Sequence, residues 1–415
     1  MRRLRLPALA ATLAFSTAAL AAPIGALAFD LELGKSDHKK LISAVADYYT
    51  ALNEEKGILE ARGDLEETVA KIEKKAKAPV LAMVEDLEYI MAKSSDGEDR
   101  VPGRGKVSEE EERGVTTTVH APKSYKFDDG PYPLVLAIHD EGQSPADHLR
   151  DDWLSTEAAA EAVVVVVHMP ADVADWTNEV NLPGGLQSVM IAMGTALRTY
   201  AIDSNRVYLA GKGAGVAVAA EVASLFPDRF AAVVGRAGDV GSTPPSNFSS
   251  IATLWIAGSS GADAFAEGIA ELGYENCTTE GSVDAAGTWE WLGAQMRPAN
   301  PAKIAFTPRT DFSTGCFWVS AEGIDTSVEG TSLTAEADRD SNTVTVDAVG
   351  MTRVTVFLND RLVDLDQPVK VVLNGVEHET QLERKLSLLL DRVYRSGDPG
   401  RIYTASRAYD VPEAE

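Results

Sequence analysis

At 415 residues the chain exceeds what one ordinary hydrophobic core organises, so two or three domains are expected. Apolar residues make up 45% and charged residues 24%, which excludes an intrinsically disordered chain. A formal charge of −25 argues against nucleic acid and anionic lipid as partners and favours a well-solvated surface.

The first thirty residues, MRRLRLPALAATLAFSTAALAAPIGALAFD, place three arginines ahead of an apolar, alanine-rich run. Ala-x-Ala-like sites stand at Ala19-Leu20-Ala21 and Ala26-Leu27-Ala28, so 1–28 is expected to be a secretory signal peptide. Pro7 and Pro23 flank a run short for a retained anchor, no cysteine sits at either site, and no later stretch is long enough to span a bilayer. Export to a periplasmic or extracellular compartment follows, and the net charge of −25 becomes −28 once the three positive charges of Arg2, Arg3 and Arg5 leave. Cys277 and Cys316 would then sit in an oxidising compartment, and the sequence leaves a disulfide between them open. Closing that loop would restrict the unfolded chain by roughly 4 kcal/mol.

Residues 29–94 read as a helical hairpin. Leu41, Val45, Tyr48, Leu52 and Leu59 keep a 4/3 spacing, as do Leu65, Val69, Ile72 and Ala76, with a break predicted at Gly63-Asp64. The hairpin either packs on the main domain or mediates association. Residues 95–114 are charged and glycine-bearing, and read as a linker.

From 115 to 300 strands and helices alternate. Strands are predicted over Val115–Ala121, Pro133–His139, Ala162–His168, Arg206–Ala210, Ala231–Gly235 and Ala252–Ala257. Helices are predicted over Leu186–Tyr200, Ala214–Phe226, Ala262–Leu272 and Trp289–Met296. The fold class is therefore α/β, with a mostly parallel sheet covered on both faces. Residues 301–415 change texture to short alternating strands with one helix, Gln381–Tyr394, and a last strand, Arg401–Ser406. Asn374-Gly375 between two strands is a strong hairpin signal, and the segment reads as a mostly-β accessory domain.

The chemistry-bearing stretch is Gly211-Lys212-Gly213-Ala214-Gly215, a glycine-rich turn between an apolar strand and an Ala/Val-rich helix. With Pro133-Leu-Val-Leu-Ala-Ile-His139 and Phe226-Pro-Asp-Arg-Phe-Ala-Ala-Val-Val234, it resembles the α/β-hydrolase superfamily over roughly residues 115–300. The likeness is to the esterase, polyhydroxyalkanoate-depolymerase-like and prolyl-oligopeptidase-like branch. The resemblance implies a nucleophile elbow, Gly-x-Ser-x-Gly, with triad partners in the order Ser, Asp/Glu, His.

Carried onto this chain, that pattern fails at three positions. The nucleophile position is Gly213, which has no attacking atom. The oxyanion loop reads His139-Asp140-Glu141-Gly142, whose carboxylates oppose a developing negative charge. Asp263 matches the acid, but the next histidine is His378, far beyond the expected place.

Other readings stay open beside this one. Lys212 serves as an activated amine, an anion contact or a solvated helix-start residue. Ser259 or Ser260 with His168 would make an unorthodox hydrolase of esters or peptides. His139, Asp140, Glu141, His148, Asp151 and Asp152 are dense in metal-ligating groups, but their spacing matches no ligand pattern. The turn also invites a nucleotide reading, but it lacks the third fingerprint glycine, with Val216 in its place. No metal and no cofactor is expected. The leading expectation is an exported hydrolase homologue without catalysis, which binds a protein, a polymer or a small molecule.

Overall fold

The structure is a computed structural model and describes residues 31–94, 99–177, 184–310 and 313–412. The signal peptide expected over 1–28 lies outside these residues. Among the described residues no helix is long and apolar enough to cross a membrane.

Three helices come first: α1 (Lys35–Asn53), α2 (Ile58–Ala76) and α3 (Val84–Lys93). Most of the 4/3 spacing read from the sequence is a buried stripe, since Leu41, Val45, Leu65, Val69 and Ile72 share one apolar cluster with Leu87 and Ile90, whereas Leu59, at the start of α2, and Ala76, at its end, are exposed. The break is not at Gly63-Asp64. Gly63 lies inside α2, and the chain reverses over 54–57, where Glu55 and Gly57 take positive φ. A helix-interior glycine costs only about 1 kcal/mol, which burial of Leu65 and Val69 in the turns after it outweighs.

The central sheet comprises β1 (Ser108–Glu112), β2 (Val115–His120), β3 (Tyr132–Ile138), β4 (Val163–Val167), β5 (Ile202–Lys212), β6 (Ala232–Arg236), β7 (Ala252–Ile256) and β8 (Cys277–Glu280). Their order is β1-β2-β4-β3-β5-β6-β7-β8. β2 is antiparallel to β1 and β4, and every pairing from β4 across to β8 is parallel. Between these strands lie α4 (Pro145–His148), which continues through a π-helical turn over Leu149–Trp153, and α5 (Ala158–Glu161). α6 (Gly185–Thr199), α7 (Gly215–Leu225), α8 (Ala262–Glu271) and α9 (Ala285–Gly293) complete the layers. Strand side chains alternate between two cores. Leu134, Leu136, Val165 and Leu209 meet α6 and α7 on one face, while Val135, Val164, Val166 and Tyr208 meet Leu149, Trp153, Trp289 and Leu292 on the other. Burial on both faces is why these strands read as unbroken apolar runs.

Two strands were hidden in the sequence. β1 falls inside the expected linker 95–114 and β8 follows α8, and both are edge strands with polar residues. An edge strand needs only one neighbour and little apolar surface, so it carries no periodic signal.

The C-terminal strands are β9 (Lys303–Phe306), β10 (Gly315–Cys316), β11 (Val319–Glu322), β12 (Ser332–Asp338), β13 (Thr343–Val349), β14 (Arg353–Leu358), β15 (Val369–Leu373), β16 (Val376–Thr380) and β17 (Ala405–Asp410). They form two sheets, β10-β11-β14-β17 and β16-β15-β13-β12-β9, around a common core that includes Trp318, Val344, Val354 and Leu373. The Asn374-Gly375 hairpin forms as expected, with Leu373 paired to Val376. The last strand begins four residues later than the sequence suggests. α10 (Leu386–Ser396) departs further from expectation: Leu389, Leu390 and Val393 join the cluster of α1–α3, not the β core. The helical unit is thus built from both ends of the described chain.

Candidate functional site

The glycine-rich turn sits where a nucleophile elbow belongs, between the C-terminal end of β5 and the start of α7. Gly211 is required by close approach, since a Cβ there would lie 2.7 Å from Val216 Cα. Gly213 takes φ +53°, the left-handed region that L side chains enter only with strain, and its N–H donates to the Arg236 carbonyl at 2.9 Å.

The space above Gly213 is filled by Asp140. A Cβ on residue 213 would overlap Asp140 Oδ1 and Cγ. Asp140 Oδ1 accepts the Ala214 N–H at 2.9 Å and the Glu141 N–H at 2.8 Å. In an acyl-transfer elbow, the N–H of the residue after the nucleophile and an N–H from the loop after β3 receive the oxyanion. Here those two donors hold the chain's own carboxylate. Asp140 therefore does more than repel a developing charge, which is what the sequence suggested: it occupies the cradle. Glu141 and Gly142 are exposed beside it.

Among the described residues no histidine hydrogen-bonds to the turn. His139 Nδ1–H donates to the Asp140 carbonyl at 2.8 Å, and its ring lies edge-on to Trp176. Burial lowers its pKa, which keeps the ring neutral. His168, also lowered by burial, pairs through Nε2 with Thr118 Oγ1 at 2.7 Å, and Thr118 is fully buried. Among the described residues no histidine hydrogen-bonds to a serine. His378 lies on β16, against Tyr409 in the β-sandwich.

The alternative serines sit in the turn after β7, Ser259 buried and Ser260 exposed. Ser259 Oγ donates to the Ile256 carbonyl at 2.9 Å, and Ser260 bonds through its backbone to Gly238 and Val240. His168 ends β4 and Ser259 follows β7, four strand spacings away across the sheet, or about 19 Å, so they form no dyad. Asp263 is exposed on the first turn of α8 with no histidine to orient.

Lys212 is half-buried and ion-paired. Its Nζ lies 2.9 Å from Asp152 Oδ2, the same oxygen that faces His148 Nδ1 at 2.9 Å. Burial would raise the Asp152 pKa, but the proximity of His148 and Lys212 outweighs it and holds the group at about 2. This cluster borders a cavity of about 30 Å³ behind the turn, room for a water and no substrate. Among the described residues no three His, Cys, Asp or Glu side chains, those of His139, Asp140, Glu141, His148, Asp151 and Asp152 included, converge as a metal site. Cys277, on β8, and Cys316, on β10, are free thiols, and the disulfide left open by the sequence is not formed. Trp289 and Trp318 are buried in separate cores.

No family model matches the sequence, and no curated protein matches it. Among solved structures, a thermostable esterase aligns at 20% identity over 46% of this chain and 63% of that chain, with a TM-score of 0.37. A ferulic acid esterase from the anaerobic fungus Anaeromyces mucronatus aligns at 16% identity over 46% of this chain and 89% of that one, with a TM-score of 0.36. An S-formylglutathione hydrolase from Staphylococcus aureus aligns at 11% identity over 45% and 94%, with a TM-score of 0.35. The match spans less than two thirds of the first of these esterases. With a mostly parallel sheet covered on both faces and a glycine-tight turn leading from β5 into α7, this chain has an α/β-hydrolase-like fold.

Proposed function

We propose that this chain is an exported, non-catalytic binding protein that keeps a hydrolase-like framework without its chemistry. The carrying observation is the seat of Asp140, bonded to the Ala214 and Glu141 N–H groups over a glycine that offers no nucleophile. Acyl transfer needs an attacking atom, a proton acceptor and a free oxyanion cradle. This chain has a hydrogen at the first position, no histidine at the second and a carboxylate in the third. Export rests on the arginine-led apolar leader and the acidic surface.

The test is turnover of p-nitrophenyl acetate and butyrate by the wild type and by Gly213→Ser. Neither is expected to exceed the uncatalysed rate, because a hydroxyl restored at 213 still has no histidine to take its proton. Turnover by Gly213→Ser alone would overturn the reading.

A further inference from the structure

A cavity lies at the amino edge of the sheet, opposite the elbow. It is bounded by α1, α3, the segment before β3, the end of α6 and α10, and its volume is about 690 Å³, within the range of small-molecule sites. Ile202 opens β5 beside this cavity and Gly213 follows its far end, so the two places stand roughly 30 Å apart along the strand. Ligands of open α/β sheets ordinarily bind at the carboxyl edge, so this cavity is not the inherited crevice.

Its lining is mixed in a particular way. Tyr49, Met91, Tyr200, Ile202, Val393 and Tyr394 supply apolar and aromatic surface. Lys93, Arg198 and Arg395 also line it, and no Asp or Glu does among the described residues. In a protein with 63 acidic and 38 basic side chains, three cations without a lining carboxylate are a local reversal of sign. Arg198 is paired with Glu112 and Arg395 with Asp391, both outside the lining. Lys93 differs: among the described residues its Nζ is held by the carbonyls of Asp128 and Gly130, at 3.2 and 3.1 Å, so its charge is positioned without being neutralised.

We infer that this cavity binds a small amphipathic anion: a carboxylate on an aromatic or short aliphatic body, its charge at Lys93 and its apolar part against the tyrosines. The site names a ligand class for a binding protein, and it stands apart from the elbow. Esterase turnover therefore tests one claim and ligand titration the other.

The experiment is calorimetric titration of the full chain with 3-phenylpropionate and with 3-phenylpropanol. The acid is expected to bind saturably and at least tenfold more tightly than the alcohol. Lys93→Glu removes that preference while leaving the circular dichroism spectrum and Tm in place. Ala46→Trp, on the α1 wall, abolishes binding of both. No saturable binding by the wild type, equal affinity for acid and alcohol, or binding that survives both substitutions would each overturn the site.

Discussion

At the scale of single residues, Gly213 and Asp140 explain each other. A carboxylate can sit over the turn only because residue 213 lacks a Cβ, and that carboxylate is the partner of the Ala214 N–H. Charge-assisted bonds of this kind are worth roughly 1.5–3 kcal/mol each. Gly213→Ala adds left-handed strain and expels Asp140, so it is expected to cost on the order of 3 kcal/mol in urea unfolding. Asp140→Gly in the same chain should recover at least about 1 kcal/mol of that loss as coupling in a double-mutant cycle. A neutral Gly213→Ala variant would show that Asp140 does not fill the turn.

At the scale of elements, the central sheet and the glycine turn were legible because each carries a strong local signal. Val163–Val167 is uninterrupted valine, and Asn374-Gly375 fixes its hairpin without help from the rest of the chain. The elements missed were those whose reason is tertiary. β1 is Ser-Glu-Glu-Glu-Glu, a strand only because the β2 edge offers it hydrogen bonds. The departures of the candidate site are likewise three-dimensional: the loss of the nucleophile is visible at Gly213, but nothing in His139-Asp140-Glu141-Gly142 says which carboxylate turns inward. Likewise, the pairing of Lys212 with Asp152 spans sixty residues. α10 is amphipathic in sequence, yet which core receives its stripe is decided by the fold. Because Leu389 is fully buried among α1–α3, Leu389→Ala is expected to destabilise by about 2–5 kcal/mol in denaturant unfolding. An effect under about 1 kcal/mol would detach α10 from that core.

At the scale of the whole molecule, the three units are tied by a buried charge network. Arg297, after α9, holds Asp398 through Nη1 at 2.7 Å and Nη2 at 3.1 Å, while Asn205 Oδ1 accepts from the same guanidinium. The Asn205 amide reaches Glu88 of α3 at 2.9 Å, and Arg401 adds an ion pair to Asp228. Burial alone would raise the Asp398 pKa, but Arg297, Arg401 and Arg229 outweigh it and hold the group below its ordinary 3.8. A carboxylate lowered on folding contributes stability above its unfolded pKa and loses it as pH falls through the folded value, so this contribution is complete above about pH 4 and declines below it. Asp398→Ala leaves Arg297 buried and unpaired, and is expected to cost about 3–5 kcal/mol at neutral pH by chemical denaturation. A loss under about 1 kcal/mol would mean that the units are not joined through this network.

A closed, base-free elbow is measured most directly by treating the folded chain with a serine-reactive fluorophosphonate and mapping adducts by mass spectrometry. The expected result is no stoichiometric adduct on any serine, Ser259 and Ser260 included. Stoichiometric labelling of either serine, abolished by its change to alanine, would contradict it.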